Sequence, residues 1–325
     1  METLASNFHH PVLLNSSIPK TPTSLKFPYK QVRFEFDPLS NRISRRTRIP
    51  LRMAQTPSVE NPVVQQQKLV IPNKHGEKLV GLLHDTGSKG IVVLCHGFRS
   101  SKESETMVNL AAALEKEGIT AFRFDFAGNG ESEGQFQYGN YFREADDLHS
   151  IIQHFCGVNR VVTAILGHSK GGNVVLLYAS KYNDIHTVVN ISGRHNVKRG
   201  IEERLGKDFM ERIKKDGFLE VKNKRGGVQY RVTEESLIDR LNTDMHEACL
   251  KIDKECRVLT VHGTADEIIP VEDALEFAKT IPNHKLQMVE GADHCYTKHQ
   301  TELASISLNF IKEALPEDLR VPQIW

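Results

Sequence analysis

The sequence predicts an α/β domain built on a mostly parallel sheet with helices on both faces, and two observations predict it. From Gln67 onward, short β-rich runs alternate with helical stretches, a rhythm that right-handed crossovers wind into such a sheet. Several of those runs, GIVVLCHG (90–97) among them, are apolar without alternation, as a strand covered on both faces must be. At 325 residues the chain can bury one large core or two small ones, and its composition forces no division.

In chain order, KLVIPN and EKLVGLLHD flank Asn73-Lys74-His75-Gly76, whose Asn and Gly suit a tight turn, so residues 68–85 read as an antiparallel hairpin. The run 90–97 is the first buried strand. Glu105 to Glu117 carries Met107, Leu110, Ala111 and Leu114 at three- and four-residue spacing and stops at Gly118, which specifies a helix. The cycle repeats as a strand at 119–126, a helix at 141–156, a strand at 160–168, a helix at 170–181 and a strand at 186–193. It resumes with a strand at 256–263, a helix at 271–280, a strand at 284–291 and a last helix at 298–314. Function collects at the carboxyl ends of the strands in sheets of this kind.

Residues 194–245 break the rhythm. They are heavily charged, with a helix expected at 200–215 and a turn around Gly226-Gly227. The segment leaves the sheet at one strand's carboxyl end and returns before the next strand begins, so it reads as a lid over the edge where a site would lie. The core is then 67–193 together with 246–325.

The first 54 residues differ from the rest. Serines and threonines are spread among Lys20, Lys26, Lys30, Arg33, Arg42, Arg45, Arg46, Arg48 and Arg52, with only Glu2, Glu35 and Asp37 opposed to them. This is the composition of an organellar transit peptide, without the apolar core of a secretory signal. RIPLRMAQ (48–55) looks like a stromal processing region, which favours the plastid stroma; a tail with no address, leaving a cytoplasmic protein, is the alternative. Residues 55–66, rich in Pro and Gln, are a linker.

Over the whole chain 42 basic and 41 acidic residues leave a net charge of +1, so no nucleic acid or anionic membrane is suggested as a partner. No apolar run approaches the roughly 18 residues that span a bilayer, and stable membrane insertion is not expected. Cys95, Cys156, Cys249, Cys256 and Cys295 are odd in number and lack metal-ligand spacing, which points to reduced thiols.

The chemistry centres on ILGHSKGGNV (165–174). Gly167-His168-Ser169-Lys170-Gly171 satisfies G-x-S-x-G, with VVTAIL before it as a strand and GNVVLLYAS after it as a helix. That context suits a sharp strand-to-helix turn which holds the serine in a strained conformation, the flanking glycines removing Cβ atoms that would clash. The bland alternative is a helix-opening serine in an ordinary loop. A hydroxyl needs a base to become a nucleophile, and the base needs an acid to fix its tautomer. VHGTADEIIP puts Asp266 just past one strand and EGADHCY puts His294 just past another, both at carboxyl ends and in the order Ser, Asp, His. His262, Asp293, His284 and Glu267 are lower-ranked rivals.

Attack on a carbonyl creates an oxyanion that needs donors. The backbone N–H of Lys170 is one candidate, and that of Phe98, in the CHGFRSSKES loop after the first buried strand, is the other. His96 reads as a structural residue of that loop. The Lys170 side chain is either an aid to anionic substrates or simply solvated.

With these residues the chain resembles the α/β-hydrolase superfamily, in the esterase, monoacylglycerol-lipase-like and serine-aminopeptidase-like group that includes cinnamoyl (feruloyl) esterases. The resemblance runs from about residue 68 to 315, on LCHGF, FRFDFAGNGESEG, GHSKGGNV, VHGTADEIIP and GADHCY. It implies the α/β-hydrolase fold, a triad of Ser169, Asp266 and His294, oxyanion donors at Phe98 and Lys170, and no metal or organic cofactor. Asp125, Gly128, Gly130, Ser132 and Gly134 match a structural loop of the family. Ala127 departs from it, standing where an arginine is usual, which alters a local salt bridge. The expected activity is hydrolysis of a small-molecule carboxylic ester through an acyl-enzyme. Amide hydrolysis of the aminopeptidase type, and a non-catalytic receptor on the same fold, stay open. Tyr230, Phe209, Phe218, Arg194 and His195 are the lid's candidates for specificity. The oligomeric state is not legible.

Overall fold

The structure, a computed structural model, describes residues 66–316 and Leu319. The basic leader lies outside the described residues. β1 (Gln66–Pro72) and β2 (Lys78–His84) pair antiparallel, and the turn between them closes on Asn73, whose Oδ1 accepts the N–H groups of His75 and Glu77. Then follow β3 (Gly90–Cys95), α1 (Glu105–Lys116), β4 (Thr120–Phe124), α2 (Tyr141–Gly157), β5 (Val161–His168), α3 (Lys170–Tyr182) and β6 (Thr187–Ile191). After residues 194–245 the series resumes, as expected, but α7 (Met245–Leu250) comes before β9 (Arg257–Gly263), α8 (Val271–Thr280), β10 (His284–Val289) and α9 (Gln300–Ala314).

Eight strands make one sheet in the order β1-β2-β4-β3-β5-β6-β9-β10. Only the pairings of β2 with β1 and with β4 are antiparallel. β3 lies between β4 and β5, and its side chains explain the unbroken apolar run. Ile91, Val93 and Cys95 enter the cluster beneath α2, α3, α7 and α8, while Val92 and Leu94 enter the one beneath α1 and α9. Each fully buried aliphatic side chain is worth about 1.5–3 kcal/mol, so neither face of such a strand tolerates a polar alternation. The five cysteines are all unpaired thiols. Among the described residues no helix is long and apolar enough to cross a membrane.

The segment between β6 and β9 differs from its sequence reading. The expected helix at 200–215 is two helices, α4 (Ile201–Leu205) and α5 (Phe209–Asp216), parted at Gly206. Gly206 sits at φ +91°, where an L side chain is strained. The expected turn is present, joining β7 (Phe218–Lys222) to β8 (Val228–Thr233) as an antiparallel pair outside the main sheet. Two helices were not anticipated. α6 (Glu234–Asn242) starts where Thr233 Oγ1 accepts the Ser236 N–H, and α7 where Asp244 Oδ1 accepts the Glu247 N–H, both N-caps in the ordinary sense. The segment has its own apolar cluster, formed by Ile201, Leu205, Ile213, Leu219, Tyr230, Val232 and Leu237 with Tyr138.

Candidate active site

Ser169 stands between β5 and α3 at φ +56°, ψ −118°, outside the regions that a non-glycine residue ordinarily occupies. Its surroundings hold it there. The Ser169 N–H donates to the Ile191 carbonyl at 2.8 Å, tying the turn to β6. A Cβ on Gly171 would lie 2.6 Å from the His96 carbonyl oxygen, and one on Gly167 would collide with the backbone of Gly171, so both glycines are there for close approach. Gly97 is as tightly placed: its Cβ would be 3.1 Å from Ser169 Cβ. The Gly97–Phe98 peptide therefore lies against the serine. The Lys170 N–H is at the first position of α3, where helix geometry offers no intrahelical acceptor.

His294 and Asp266 arrive from the loops after β10 and β9. His294 Nδ1 donates to Asp266 Oδ2 at 2.8 Å, and Asp266 Oδ1 accepts the N–H groups of Ile268 and Ile269 at 2.9 and 2.8 Å. Burial by itself would raise the Asp266 carboxyl, but the His294 hydrogen bond and charge, with the two backbone donors, hold it below its usual value. Ser169, Lys170, Phe98 and His294 line one cavity of about 370 Å³, a volume suited to a small ligand.

Of the rivals, His262 lies nearest this centre, its Nε2 3.5 Å from Asp266 Oδ2. The His262 Nε2–H donates to the Ile269 carbonyl, bracing the Asp266 loop from beneath. Asp293 accepts the Thr297 N–H. His284, at the start of β10, pairs with Thr260 Oγ1. Glu267 is exposed on the cavity wall. His96 is structural, as expected: its Nδ1–H donates to the Gly97 carbonyl at 2.8 Å and its Nε2 accepts the Phe126 N–H at 3.1 Å, pinning the Phe98 loop to the chain after β4.

Two residues turn out differently from their sequence reading. The Lys170 side chain is neither solvated nor free for an anion: its Nζ is ion-paired to Glu144 Oε1 at 2.6 Å, both groups buried. His168 was not singled out at all. Its Nε2–H donates to the His294 carbonyl at 2.8 Å, linking the serine turn to the histidine loop. Burial first, then the neighbouring His294, lowers the His168 pKa to about 4, so the ring is a neutral strut. Nothing in the spacing of the chain joins residues 126 apart.

Of the five specificity candidates, only Arg194 lines this cavity. Tyr230 and Phe218 line a second cavity, of about 630 Å³. Phe209 packs on the small cluster and His195 lies edge-on to Phe277. At the family's loop, Asp125 is paired with Lys102 at 2.7 Å. The Ala127 N–H donates to Asp147, a buried carboxylate that also accepts from the Asn73 amide and whose pKa burial raises to about 6. No cation stands within ion-pair distance of Asp147 among the described residues, so the loop lacks a salt bridge there.

Residues 86–245 match the family model described as serine aminopeptidase, S33. Among solved structures, the chain is similar to Est1E from Butyrivibrio proteoclasticus with ferulic acid bound, at TM-score 0.66 and 24% identity over 76% of this chain and 98% of that one. It is also similar to the Pyrococcus furiosus esterase Pf2001, at TM-score 0.59 and 21% identity over 78% and 92%. A monoacylglycerol lipase of Mycolicibacterium smegmatis is 26% identical over 34% of this chain and 39% of its own length. By sheet order, by the turn at Ser169 and by these likenesses, the chain is an α/β-hydrolase-fold protein whose residues 86–245 match the serine aminopeptidase S33 family.

Proposed function

We propose that the chain is a serine hydrolase that cleaves a carboxylic ester in two acyl-transfer steps. One observation carries the reading: the Asp266 carboxylate is hydrogen-bonded to His294 Nδ1, and Ser169, at positive φ, lines the same cavity as His294. Ser169 Oγ attacks the ester carbonyl carbon while His294 Nε2 takes the hydroxyl proton. Asp266 holds the Nδ1–H tautomer and stabilises the imidazolium. The N–H groups of Phe98 and Lys170 receive the developing oxyanion, each donor contributing about 2.7–4 kcal/mol in comparable sites. Collapse breaks the bond to the alkoxy oxygen, which leaves as an alcohol with the proton from His294. Water then attacks the acyl-enzyme and gives His294 a proton, which returns to Ser169 Oγ as the acid departs. Substrate, water and these three side chains carry every proton and electron pair. Residues 194–245 act as the lid, several of them lining the cavity wall.

Ser169→Ala is expected to keep the wild-type circular dichroism and melting temperature, and to lose both turnover of acyl esters and labelling by a fluorophosphonate. Unchanged turnover of every ester in a panel would refute the assignment. The serine aminopeptidase match favours a second reading, amide hydrolysis by the same groups, and a parallel panel of aminoacyl amides decides between the two. The basic leader, in this reading, directs import into plastids; a fluorescent protein fused behind residues 1–65 that stays in the cytoplasm would exclude it.

A further inference from the structure

Four arginines line the cavity that holds Ser169 and His294, and among the described residues three of them have no carboxylate in an ion pair. Arg199 is ion-paired to Asp273 at 3.1 Å, as Lys170 is to Glu144. Arg194, Arg204 and Arg240 make no ion pair among the described residues. Arg194 Nη2 donates to the Ile268 carbonyl at 2.6 Å and Arg240 Nε to the Val197 carbonyl at 2.9 Å, while the Arg204 guanidinium lies 5.3 Å from the centre of the Phe98 ring. Glu267, the acid in the wall, is exposed and pairs with none of them.

These anchors hold the three arginines in the wall of the cavity that Ser169 and His294 line. Ile268 follows Asp266 by two residues, and Phe98 carries a proposed oxyanion N–H. The Arg194 carbonyl accepts from Asn173, one turn along α3 from Ser169. Arg240 is buried, 4.7 Å from the Tyr138 ring centre and 5.7 Å from that of Tyr141. Burial, together with repulsion from Arg240 and Arg204 and against the pull of Asp273, lowers the Arg194 pKa. Like charges gathered in a partly desolvated wall oppose folding unless something anionic completes them.

We infer that Arg194, Arg204 and Arg240 form an anion subsite, and that the substrate is a small ester bearing a free carboxylate, such as the monoester of a dicarboxylic acid. The inference rests on the ester-hydrolase reading above. Guanidinium forks match a carboxylate in shape and charge, and the cavity of about 370 Å³ limits the ligand to a small molecule. The same wall repels the protonated α-amine that an aminopeptidase must hold, so it favours esters over aminoacyl amides.

The test compares kcat/KM of the full chain for monoethyl adipate and for ethyl hexanoate, which match in acyl length and differ by one carboxylate. A ratio of at least tenfold in favour of the adipate ester is expected, falling about tenfold in Arg204→Met and in Arg240→Met. Equal or reversed preference in the wild type overturns the subsite. Arg204 is exposed, so its variant carries the test if the buried Arg240→Met does not fold. Should neither ester be turned over, thermal unfolding judges the subsite separately from the hydrolase reading, which the wider ester panel tests. Adipate raising the melting temperature where uncharged adipamide does not, with the gain lost in Arg204→Met, upholds it; equal shifts from the two overturn it.

Discussion

Adding one methyl group at Gly171 tests whether close packing of the serine turn on β3 sets the catalytic geometry. A Cβ there would stand 2.6 Å from the His96 carbonyl oxygen and closer still to that of Cys95. Both are backbone atoms at the end of β3, so no side chain can swing aside. To reach the 3.4 Å of ordinary contact with both atoms, α3 and the strand must part by about 1 Å. The gap opens between the two proposed oxyanion donors, because Lys170 rides on α3 and Phe98 follows His96 by two residues. A misplacement of about 1 Å costs on the order of 10²-fold in rate, or about 2.7 kcal/mol of barrier. Overpacking of this kind also costs about 1–3 kcal/mol of stability. Gly171→Ala is therefore expected to lower kcat/KM for an acyl ester about a hundredfold and to lower the urea midpoint. Gly157→Ala is the control, since a Cβ at 157 meets nothing within 4 Å. A Gly171→Ala chain with wild-type kcat/KM and urea midpoint would refute the close-approach argument.

Further outcomes follow from the proposed triad and its supports. Asp266→Asn should keep the fold but lower kcat by about 10³–10⁴, because an amide favours the wrong imidazole tautomer; steady-state kinetics beside circular dichroism would check it. His168→Ala should lower kcat about tenfold, on the order of 1.4 kcal/mol, with KM little changed, and His168→Gln, which can still donate to the His294 carbonyl, should recover part of the loss. His168 also bears on acid stability. Its folded pKa of about 4 lies below the ordinary 6.5, so its contribution is present above pH 6.5 and is lost as pH falls toward 4. Burial raises the Glu144 and Asp147 carboxyls to about 7 and about 6. They act in the opposite sense, contributing below their unfolded values and losing that contribution as pH rises. The comparison is therefore between chains: from pH 7 to 5, urea midpoints should fall less in His168→Gln than in the wild type. Parallel curves would mean that the ring is not buried neutral.

Much of the fold was legible because it follows from local rules. The buried strand at 90–97, the helix from Glu105 and the serine turn were each marked by apolar spacing or by glycine, and the structure has them within a few residues of the expected bounds. Between residues 194 and 245 the periodic signal misled. The apolar spacing of GIEERLGKDFMERIKK runs through Gly206, and only the φ of +91° at that residue separates α4 from α5. α7 carried a readable signal, Asp244 with Glu247 three residues on, which is a capping pattern. The strand order, by contrast, had no local mark.

The candidate site divides the same way. Ser169, Asp266 and His294 could be named from the sequence because each lies just past a strand, and a parallel sheet gathers its strand ends along one edge. No such rule governs which polar groups meet once they are there. Lys170 found Glu144 across the α2–α3 packing, His168 found the carbonyl of His294, and four arginines gathered around one cavity. Burial along a strand or helix is decided residue by residue and is written in spacing. The pairing of charges and hydrogen bonds depends on distances that exist only after the chain has packed, and there the tertiary structure alone decided.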